Sequence, residues 1–315
     1  MQIKKLLFIY NPNAGTGMLK PKLAEVLDIF VKAGYEVTVY PTQKYHDALE
    51  KTLAYEGDYD LVVCSGGDGT LDEVVTGMAK REKQVPIGYI PAGTTNDFAR
   101  SLHISKNMLE AADTAVNGTP LACDIGVFNS DFFVYIAAFG LFTDVSYETK
   151  QSVKNVLGHL AYVLEGAKSI FNIPSYRIKV IHDGEEIEED FMFGMVTNSR
   201  SVGGFQGIVG KDVVFDDGEF EVTLIKTPRN PLEVNEIIAA LLIRQIDSKH
   251  IFSFRTGKIK FESLEEIPWT LDGEFGGEHD VVEILNRRQG LQIMVKEEIR
   301  ENLMLQSKEE NDTML

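Results

Sequence analysis

Few cysteines and a shortage of positive charge set the first limits on this chain. Its 315 residues include only Cys64 and Cys123, which is too few for a disulfide framework and favours a reducing compartment. Acidic residues outnumber basic ones by 48 to 31, which gives a net charge of −17. A nucleic-acid partner requires a basic face, and so does broad adhesion to an anionic membrane. We therefore expect no nucleic-acid partner.

Signals of several other protein classes are also missing. The N-terminus enters a predicted strand without a signal-peptide pattern, and the longest strongly apolar runs, such as 237–243, are too short to cross a bilayer. The sequence contains no Gly-x-Ser-x-Gly, no lysine-bearing phosphate loop and no histidine pair at metal-ligand spacing. We expect a cytoplasmic protein that contacts a membrane only transiently, and neither a serine hydrolase nor a P-loop enzyme.

The first part of the chain alternates strands with helices. With 44% hydrophobic and 25% charged residues, the composition is that of a globular protein long enough for two domains. Alternation at this spacing predicts βαβ units and a parallel sheet. The predicted strands are 4–10, 37–40, 61–64 and 86–90, and the predicted helices are 21–33, 48–54 and 71–79.

After Pro120 the pattern changes to short strands, and we place the domain boundary near Asp124. Two antiparallel hairpins and five further strands predict an all-β sandwich, interrupted by helices at about 153–171 and 231–244. The fold class is therefore α/β plus all-β. The hairpins are 121–128 with 132–138 and 178–181 with 191–197, and the further strands are 219–225, 258–261, 269–271, 281–285 and 291–295.

Three polar, glycine-bearing loops follow predicted strands, at 11–17, 66–70 and 93–97. In parallel sheets ligands lie beyond the carboxyl ends of the strands, so these loops should converge. The segment 61–73 combines a buried strand, a glycine turn and a helix N-terminus, with Thr70 able to cap a helix that begins at Leu71. Free backbone N–H groups and the helix dipole make such a turn an anion site.

Asp68 is the unusual residue in this turn. A carboxylate there repels phosphate unless a cation compensates, and Asp97 supplies a second acidic loop. Mg²⁺ binds one or two carboxylates together with phosphate oxygens, so the pair predicts a Mg²⁺-nucleotide site. The alternatives are a plain strand-to-helix turn at Asp68 and simple capping of a short helix by Asn96 or Asp97.

Two acidic turns in the second part of the chain are further candidates. Glu274, in Leu271-Asp272-Gly273-Glu274, could act as a general base toward a hydroxyl, with Asp272 orienting it or holding the metal. Judged alone, a plain Asp-Gly turn is the favoured interpretation. Asp216-Asp217-Gly218-Glu219 could hold a structural divalent cation or form another turn.

Taken together, these motifs resemble the diacylglycerol kinase catalytic-domain family, and in particular its bacterial soluble branch. Gly-Gly-Asp-Gly-Thr alone also occurs in NAD kinases and phosphofructokinase-like enzymes, whereas the later motifs favour a lipid kinase. The resemblance covers nearly the whole chain. The segments that carry it are 11–12, 66–70, 93–100, 145–149, 216–218 and 271–274.

The resemblance implies an N-terminal three-layer α/β domain, 1–124, to which 297–315 return, and a β-sandwich lipid-substrate domain, 125–296. It implies Glu274, Asp68 and Asp272 as catalytic residues, and a structural Mg²⁺ site at Val214, Asp217 and Glu219. It also implies a group of residues that bind ATP and Mg²⁺, namely Asn11, Pro12, Asn13, Ala14, Gly15, Thr42, Gly66, Gly67, Asp68, Gly69, Thr70, Leu71, Asp72, Glu73, Thr94, Asn96 and Asp97.

The expected activity is ATP- and Mg²⁺-dependent phosphorylation of a lipid hydroxyl, with diacylglycerol converted to phosphatidic acid at the membrane surface, in a chain that could form a homodimer. Thr16 and Glu165 depart from the family pattern, because members of this branch often carry basic residues there. They keep open an inactive lipid- or nucleotide-binding regulator. A second alternative is an NAD kinase-like enzyme with a soluble substrate, although the Asn-Glu pair that favours it is missing.

Overall fold

The chain divides into two compact units. The first comprises Met1–Asp124 with Arg288–Leu315, and the second comprises Ile125–Arg287. In the computed structural model, no helix among the described residues is long and apolar enough to span a bilayer. The described residues are 3–55, 59–94, 96–140, 174–198, 201–202, 205–206, 215–242 and 248–303.

The first unit contains a parallel sheet, as the alternation of strands and helices predicts. Its strands are β1 (Lys4–Tyr10), β2 (Tyr35–Pro41), β3 (Leu61–Gly66) and β4 (Ile87–Pro91), and they lie in the order β2–β1–β3–β4. Residues Leu6 to Ile9 are buried in the central strand, and the C-terminal strand of the chain adds to the β4 edge through Ile293 and Ile87. Because the four strands run in parallel, their carboxyl ends lie along one edge.

In the described part of this unit, three helices connect these strands, two more follow the last of them, and residues 297–303 are also helical. Phe30 of the first helix packs edge-on against Phe8 of β1 with ring centroids 5.3 Å apart. The fifth helix is not predicted above; it packs closely at β4, where a Cβ on Gly88 would lie 2.5 Å from the Cβ of Ala115. The helices are α1 (Leu23–Lys32), α2 (Asp47–Ala54), α3 (Asp68–Ala79), α4 (Asp97–Ser101) and α5 (Met108–Asn117).

The second unit is built mainly from antiparallel strands. Of the two predicted hairpins, the second is confirmed at its turn, whereas the first is confirmed only for 126–128 with 131–133, because 136–140 is a separate strand with other partners. Residues 258–271 form one strand with two register shifts where the sequence predicts two strands. The described residues of this unit include one helix, α6 (Pro231–Leu242). The strands are β5 (Thr119–Phe128, which begins in the first unit), β6 (Asp131–Phe133), β7 (Ile136–Gly140), β8 (Tyr176–His182), β9 (Glu185–Thr197), β10 (Ser201–Val202), β11 (Phe205–Gln206), β12 (Phe220–Lys226), β13 (Ile251–Thr256), β14 (Lys258–Leu271) and β15 (Glu274–Val295, which ends in the first unit).

An aromatic cluster anchors β14 in the core of the second unit. Trp269 is 1% exposed, and its ring lies 5.1 Å from Phe128, 4.8 Å from Phe139 and 5.1 Å from Phe261, measured between centroids. Such contacts add to the stabilisation from burial. The cluster therefore fixes the end of β14, from which the turn at Asp272-Gly273 projects.

Several predictions fall outside the described residues. These are the helix at 153–171 with Glu165, the motif at 145–149, Thr95 and Val214.

Candidate active site

The three predicted phosphate loops meet at the carboxyl edge of the first unit's sheet. The Asn11 N–H donates to the Ser65 carbonyl at 2.9 Å, which joins the loop after β1 to the end of β3. The Ala92 N–H donates to the Gly66 carbonyl at 2.7 Å, which joins the loop after β4 to the same strand. These bonds bring the loops together as predicted.

Glycines allow the loops to pack backbone against backbone. Gly15 has φ +53°, and a Cβ there would lie 2.1 Å from the carbonyl oxygen of Ala92. A Cβ on Gly93 would lie 2.7 Å from the Cα of Gly67. A side chain at either position would push the loops apart, so the spacing of the site depends on these glycines.

On the prediction that these loops bind ATP, substituting Gly15 with alanine should weaken that binding at least tenfold, because the new Cβ displaces Ala92. Gly34→Ala is the matched control, since Gly34 has φ +88° but nothing within 4 Å of the built Cβ. We expect Gly34→Ala to lower the free energy of unfolding by about 1 kcal/mol and to leave ATP affinity unchanged. Calorimetric titration with ATP measures the affinity, and urea denaturation measures the free energy of unfolding. Equal ATP affinities in the two variants would contradict this role of Gly15.

The helix after the glycine turn begins earlier than the sequence predicts. Asp68 is the first residue of α3 and Gly67 occupies the N-cap position, without a side-chain cap. Thr70 lies within the first turn and packs on Gly66, whose built Cβ would be 2.4 Å from Thr70 Oγ1. The prediction that Thr70 caps a helix starting at Leu71 is therefore wrong, and the positive end of the helix dipole lies at Gly67 and Asp68.

Asn96 braces the loop after β4 and does not cap α4 with its side chain. Its Oδ1 accepts the Gly93 N–H at 3.0 Å, and its Nδ2 donates to the Gly93 carbonyl at 2.7 Å. Asn96 precedes α4 with φ +52° and makes no side-chain cap. The predicted capping role is wrong for Asn96, whose amide instead holds the turn closed around Gly93.

Tyr89 connects this brace to the glycine turn. Its hydroxyl lies 3.2 Å from both the Gly66 carbonyl and Asn96 Oδ1. Burial, and secondarily the charge of Asp68, raises the pKa of Tyr89 well above its ordinary value, so the hydroxyl stays protonated and can donate. Sequence reasoning counts Tyr89 only as part of a buried strand, and nothing local distinguishes it.

Two carboxylates follow neighbouring strands in this unit. Asp68 opens α3 after β3, and Asp97, which is 3% exposed, opens α4 after β4. The strands β3 and β4 pair in parallel up to Gly66 and Pro91. An all-oxygen donor set beside an anion-binding helix end fits the chemistry of Mg²⁺ with a nucleotide.

The other predicted ATP-binding residues have varied surroundings. Glu73 accepts the N–H groups of His46 and Ala48, both at 3.0 Å, so its carboxylate joins α3 to the N-terminus of α2. Leu71 is 1% exposed and belongs to the core. Thr42 donates its N–H to the Tyr10 carbonyl at 2.9 Å, beside the first loop. Pro12, Asn13 and Ala14 lie in that loop, where the Asn13 N–H donates to Asn11 Oδ1 at 2.9 Å. Gly69 and Asp72 lie in α3, and Thr94 is exposed after β4.

In the second unit, Asp272 anchors the turn between β14 and β15. Asp272 has φ +50° and Gly273 has φ +87°, the backbone of a two-residue hairpin turn. The carboxylate of Asp272 is 4% exposed and accepts the backbone N–H groups of Val134 at 2.5 Å and of Tyr135 and Ile136 at 2.9 Å each. Of the two roles predicted for Asp272, these bonds favour orienting Glu274 over holding a metal, because both carboxylate oxygens are engaged by the backbone.

Glu274 follows this turn as the first residue of β15. It is exposed, and it pairs through its backbone with Leu271. Among the described residues its carboxylate makes no hydrogen bond and no ion pair. The carboxylate is therefore available to accept a hydrogen bond from a substrate hydroxyl, which the predicted general-base role requires.

The carboxylate of Asp217 pairs with an arginine of the same unit. Asp217 accepts the Glu219 N–H at 3.0 Å and pairs with the guanidinium of Arg255, which also lies 3.5 Å from Glu219 and 3.6 Å from Glu221. No cluster of three or more acidic, histidine or cysteine side chains in the described ranges could hold a metal. A guanidinium supplies the positive charge beside Asp217 in this structure. Because Val214 lies outside the described residues, the Mg²⁺ site at Val214, Asp217 and Glu219 stays a prediction.

Glu221 should make stability depend on pH. Burial raises its pKa from 4.5 to about 8 although Arg255 opposes the shift, so the folded state binds a proton that the unfolded state releases. The associated stabilisation is complete below pH 4.5 and is lost as pH rises through 8. We expect Glu221→Gln to gain about 3 kcal/mol relative to the unsubstituted protein between pH 5 and pH 8.5. Urea denaturation across this pH range measures the free energy of unfolding, and Glu266→Gln at an exposed position is the control. A difference between Glu221→Gln and the unsubstituted protein that stays constant with pH would contradict the prediction.

Comparison with known proteins points to one family. The model of the diacylglycerol kinase catalytic domain matches residues 5–128. A diacylglycerol kinase of Staphylococcus carnosus (strain TM300) is 34% identical over 306 residues, covering 96% of this chain and 99% of the relative. A crystal structure of a diacylglycerol kinase from Bacillus anthracis str. Sterne aligns with TM-score 0.74 and 23% identity over 95% of this chain and 99% of that one. An Archaeoglobus fulgidus NAD kinase in complex with ATP has TM-score 0.50 and 12% identity, over 96% and 98% of the two chains.

Proposed function

Because the chain belongs to the diacylglycerol kinase family and is a lipid kinase, we propose that it transfers the γ-phosphoryl group of ATP to the hydroxyl of diacylglycerol in a Mg²⁺-dependent reaction. The observation that carries the ATP part is the convergence of three glycine-bearing loops at the N-terminus of α3. Backbone N–H groups and a helix dipole favour a triphosphate there. We also propose that the first unit has three layers and that the second is a β-sandwich.

The residues of the first unit bind and orient the triphosphate in this proposal. The glycine loops allow close approach of the phosphates, and Asn96 and Tyr89 keep the loop at Gly93 and the turn at Gly66 in place. Asp68 and Asp97 would hold Mg²⁺, which when bound neutralises charge on the phosphate oxygens. We include the other predicted ATP-binding residues, described above, in the same proposed site.

Glu274 carries the proton chemistry in this proposal. The hydroxyl oxygen of the lipid forms a bond to the γ-phosphorus while the bond from that phosphorus to the bridging oxygen breaks, and ADP leaves. The hydroxyl proton passes to the Glu274 carboxylate, which is exposed and engaged by no described side chain. Asp272 holds the turn and takes no direct part. Phosphoryl transfer depends chiefly on such positioning and on charge stabilisation.

The lipid must be reached at a membrane surface. A net charge of −17 opposes broad attraction to anionic lipids, so we propose transient docking through a few apolar side chains. Phe275, which follows Glu274, is 53% exposed and could contribute to this contact. The homodimer stays a prediction.

A phosphotransfer assay on a substrate panel tests the proposed function. Labelled ATP and Mg²⁺ would be offered with diacylglycerol in mixed vesicles, a sphingosine-like lipid, a polyprenol and NAD. We expect label in the lipid phase with diacylglycerol and its loss when Mg²⁺ is chelated. Label in another lipid would correct the substrate, label only in NADP would favour an NAD kinase, and no transfer would favour a binding protein without activity.

A further inference from the structure

We infer that Tyr135 is a positioning residue for phosphoryl transfer, acting through the turn that presents Glu274; this rests on the proposed function. Glu274 has no side-chain partner among the described residues, so only its backbone sets the position and direction of the Cα–Cβ bond from which its carboxylate extends. That backbone is in turn set by the two-residue turn at Asp272 and Gly273. The contacts that hold this turn therefore also hold the point from which the Glu274 side chain extends.

The hydroxyl of Tyr135 bonds to the turn itself. Tyr135 Oη donates to the Asp272 carbonyl at 3.1 Å, and the side chain is 7% exposed. In a turn of this kind the carbonyl of the first central residue is not used by the strand ladder. The hydroxyl thus restrains the peptide between Asp272 and Gly273, whose rotation would convert the turn into another type and redirect Glu274.

Tyr135 is itself held firmly. Its N–H donates to Asp272 Oδ1 at 2.9 Å, and its carbonyl accepts the Asn198 N–H at 3.1 Å. The Asp272 N–H donates to the Ile136 carbonyl at 2.9 Å, which closes the arrangement from the other side. Because these backbone bonds do not involve the phenol, removing the hydroxyl alone should leave the segment folded and release only the turn peptide.

Tyr135→Phe tests this role. We expect kcat with diacylglycerol to fall about tenfold, with the KM for ATP unchanged and the midpoint of thermal unfolding lowered by only a few degrees. Tyr55→Phe is the matched control, because it removes a hydroxyl from another buried tyrosine, in the first unit, and should leave kcat unchanged.

A double-mutant cycle with Glu274→Gln separates positioning from a general structural effect. If Tyr135 acts through the base, Tyr135→Phe should not lower the residual rate of Glu274→Gln further. An equal fold-loss in both backgrounds, or a kcat within twofold of the unsubstituted protein, would overturn the inference. Near-normal turnover of Glu274→Gln alone would instead remove the base assignment, and this inference with it. Absence of transfer to any lipid by the unsubstituted protein would identify failure of the proposed function.

Discussion

Glu274→Gln is expected to reduce kcat about 1,000-fold while ATP binding is retained. The amide keeps the size and shape of the side chain but cannot accept the hydroxyl proton, and a positioned base contributes about 10²- to 10⁴-fold to such a step. Folding should be unaffected, because the carboxylate is exposed and has no partner among the described residues. Initial rates with diacylglycerol vesicles and calorimetric titration with ATP measure the two properties separately.

Glu278→Gln is the control for this experiment. Glu278 is an exposed glutamate of the same strand, so the substitution makes the same change in charge without touching the turn, and its rate should stay within twofold of the unsubstituted protein. Near-normal turnover of Glu274→Gln would show that the base assignment is wrong. Asp68 would then become the leading candidate for the base, and the Mg²⁺ role proposed for it would need to be reassigned.

The parallel sheet and its converging loops were predictable because they follow from local pattern. Alternating strands and helices dictate parallel pairing, and parallel pairing brings the carboxyl ends of strands together. The start of α3 was predicted three residues too late because Gly67 and Asp68 look like part of the turn. Gly67 takes the cap position with an extended backbone, which the sequence pattern does not distinguish from a longer loop.

Roles that depend on distant partners could not be predicted. The Asp-Gly turn and the site at Glu274 were opposed interpretations of one motif. The structure confirms the turn and shows that it does not exclude the site, because Glu274 follows it directly, and the site stays a prediction. The anchor of the turn, three N–H groups at residues 134–136, is more than 130 positions away along the chain. In the same way, the sequence around Asp217 indicates a cation site but gives no sign of Arg255, which lies 38 positions downstream.

Asp272→Ala should lower both the free energy of unfolding and kcat. We expect the largest loss of stability among the substitutions considered above, and a loss of kcat second only to that of Glu274→Gln. It leaves three backbone N–H groups without their buried acceptor, each at a cost of about 1–3 kcal/mol, and we expect a loss of about 4 kcal/mol because such effects are not additive. The released turn should also lower kcat at least 100-fold in protein that remains folded.

Asp272→Asn separates the acceptor role from the charge. A single amide oxygen can still accept the N–H groups of Tyr135 and Ile136, which share Asp272 Oδ1, whereas the new NH₂ group faces the Val134 N–H. We therefore expect about half the loss of stability and a kcat between those of the alanine variant and the unsubstituted protein. Urea denaturation and rates at a temperature where all three proteins are folded give both quantities. If the alanine variant unfolds within 1 kcal/mol of the unsubstituted protein, water satisfies the three N–H groups and Asp272 does not anchor the turn. If stability falls but kcat does not, the anchor matters for folding alone and Glu274 finds its position without it.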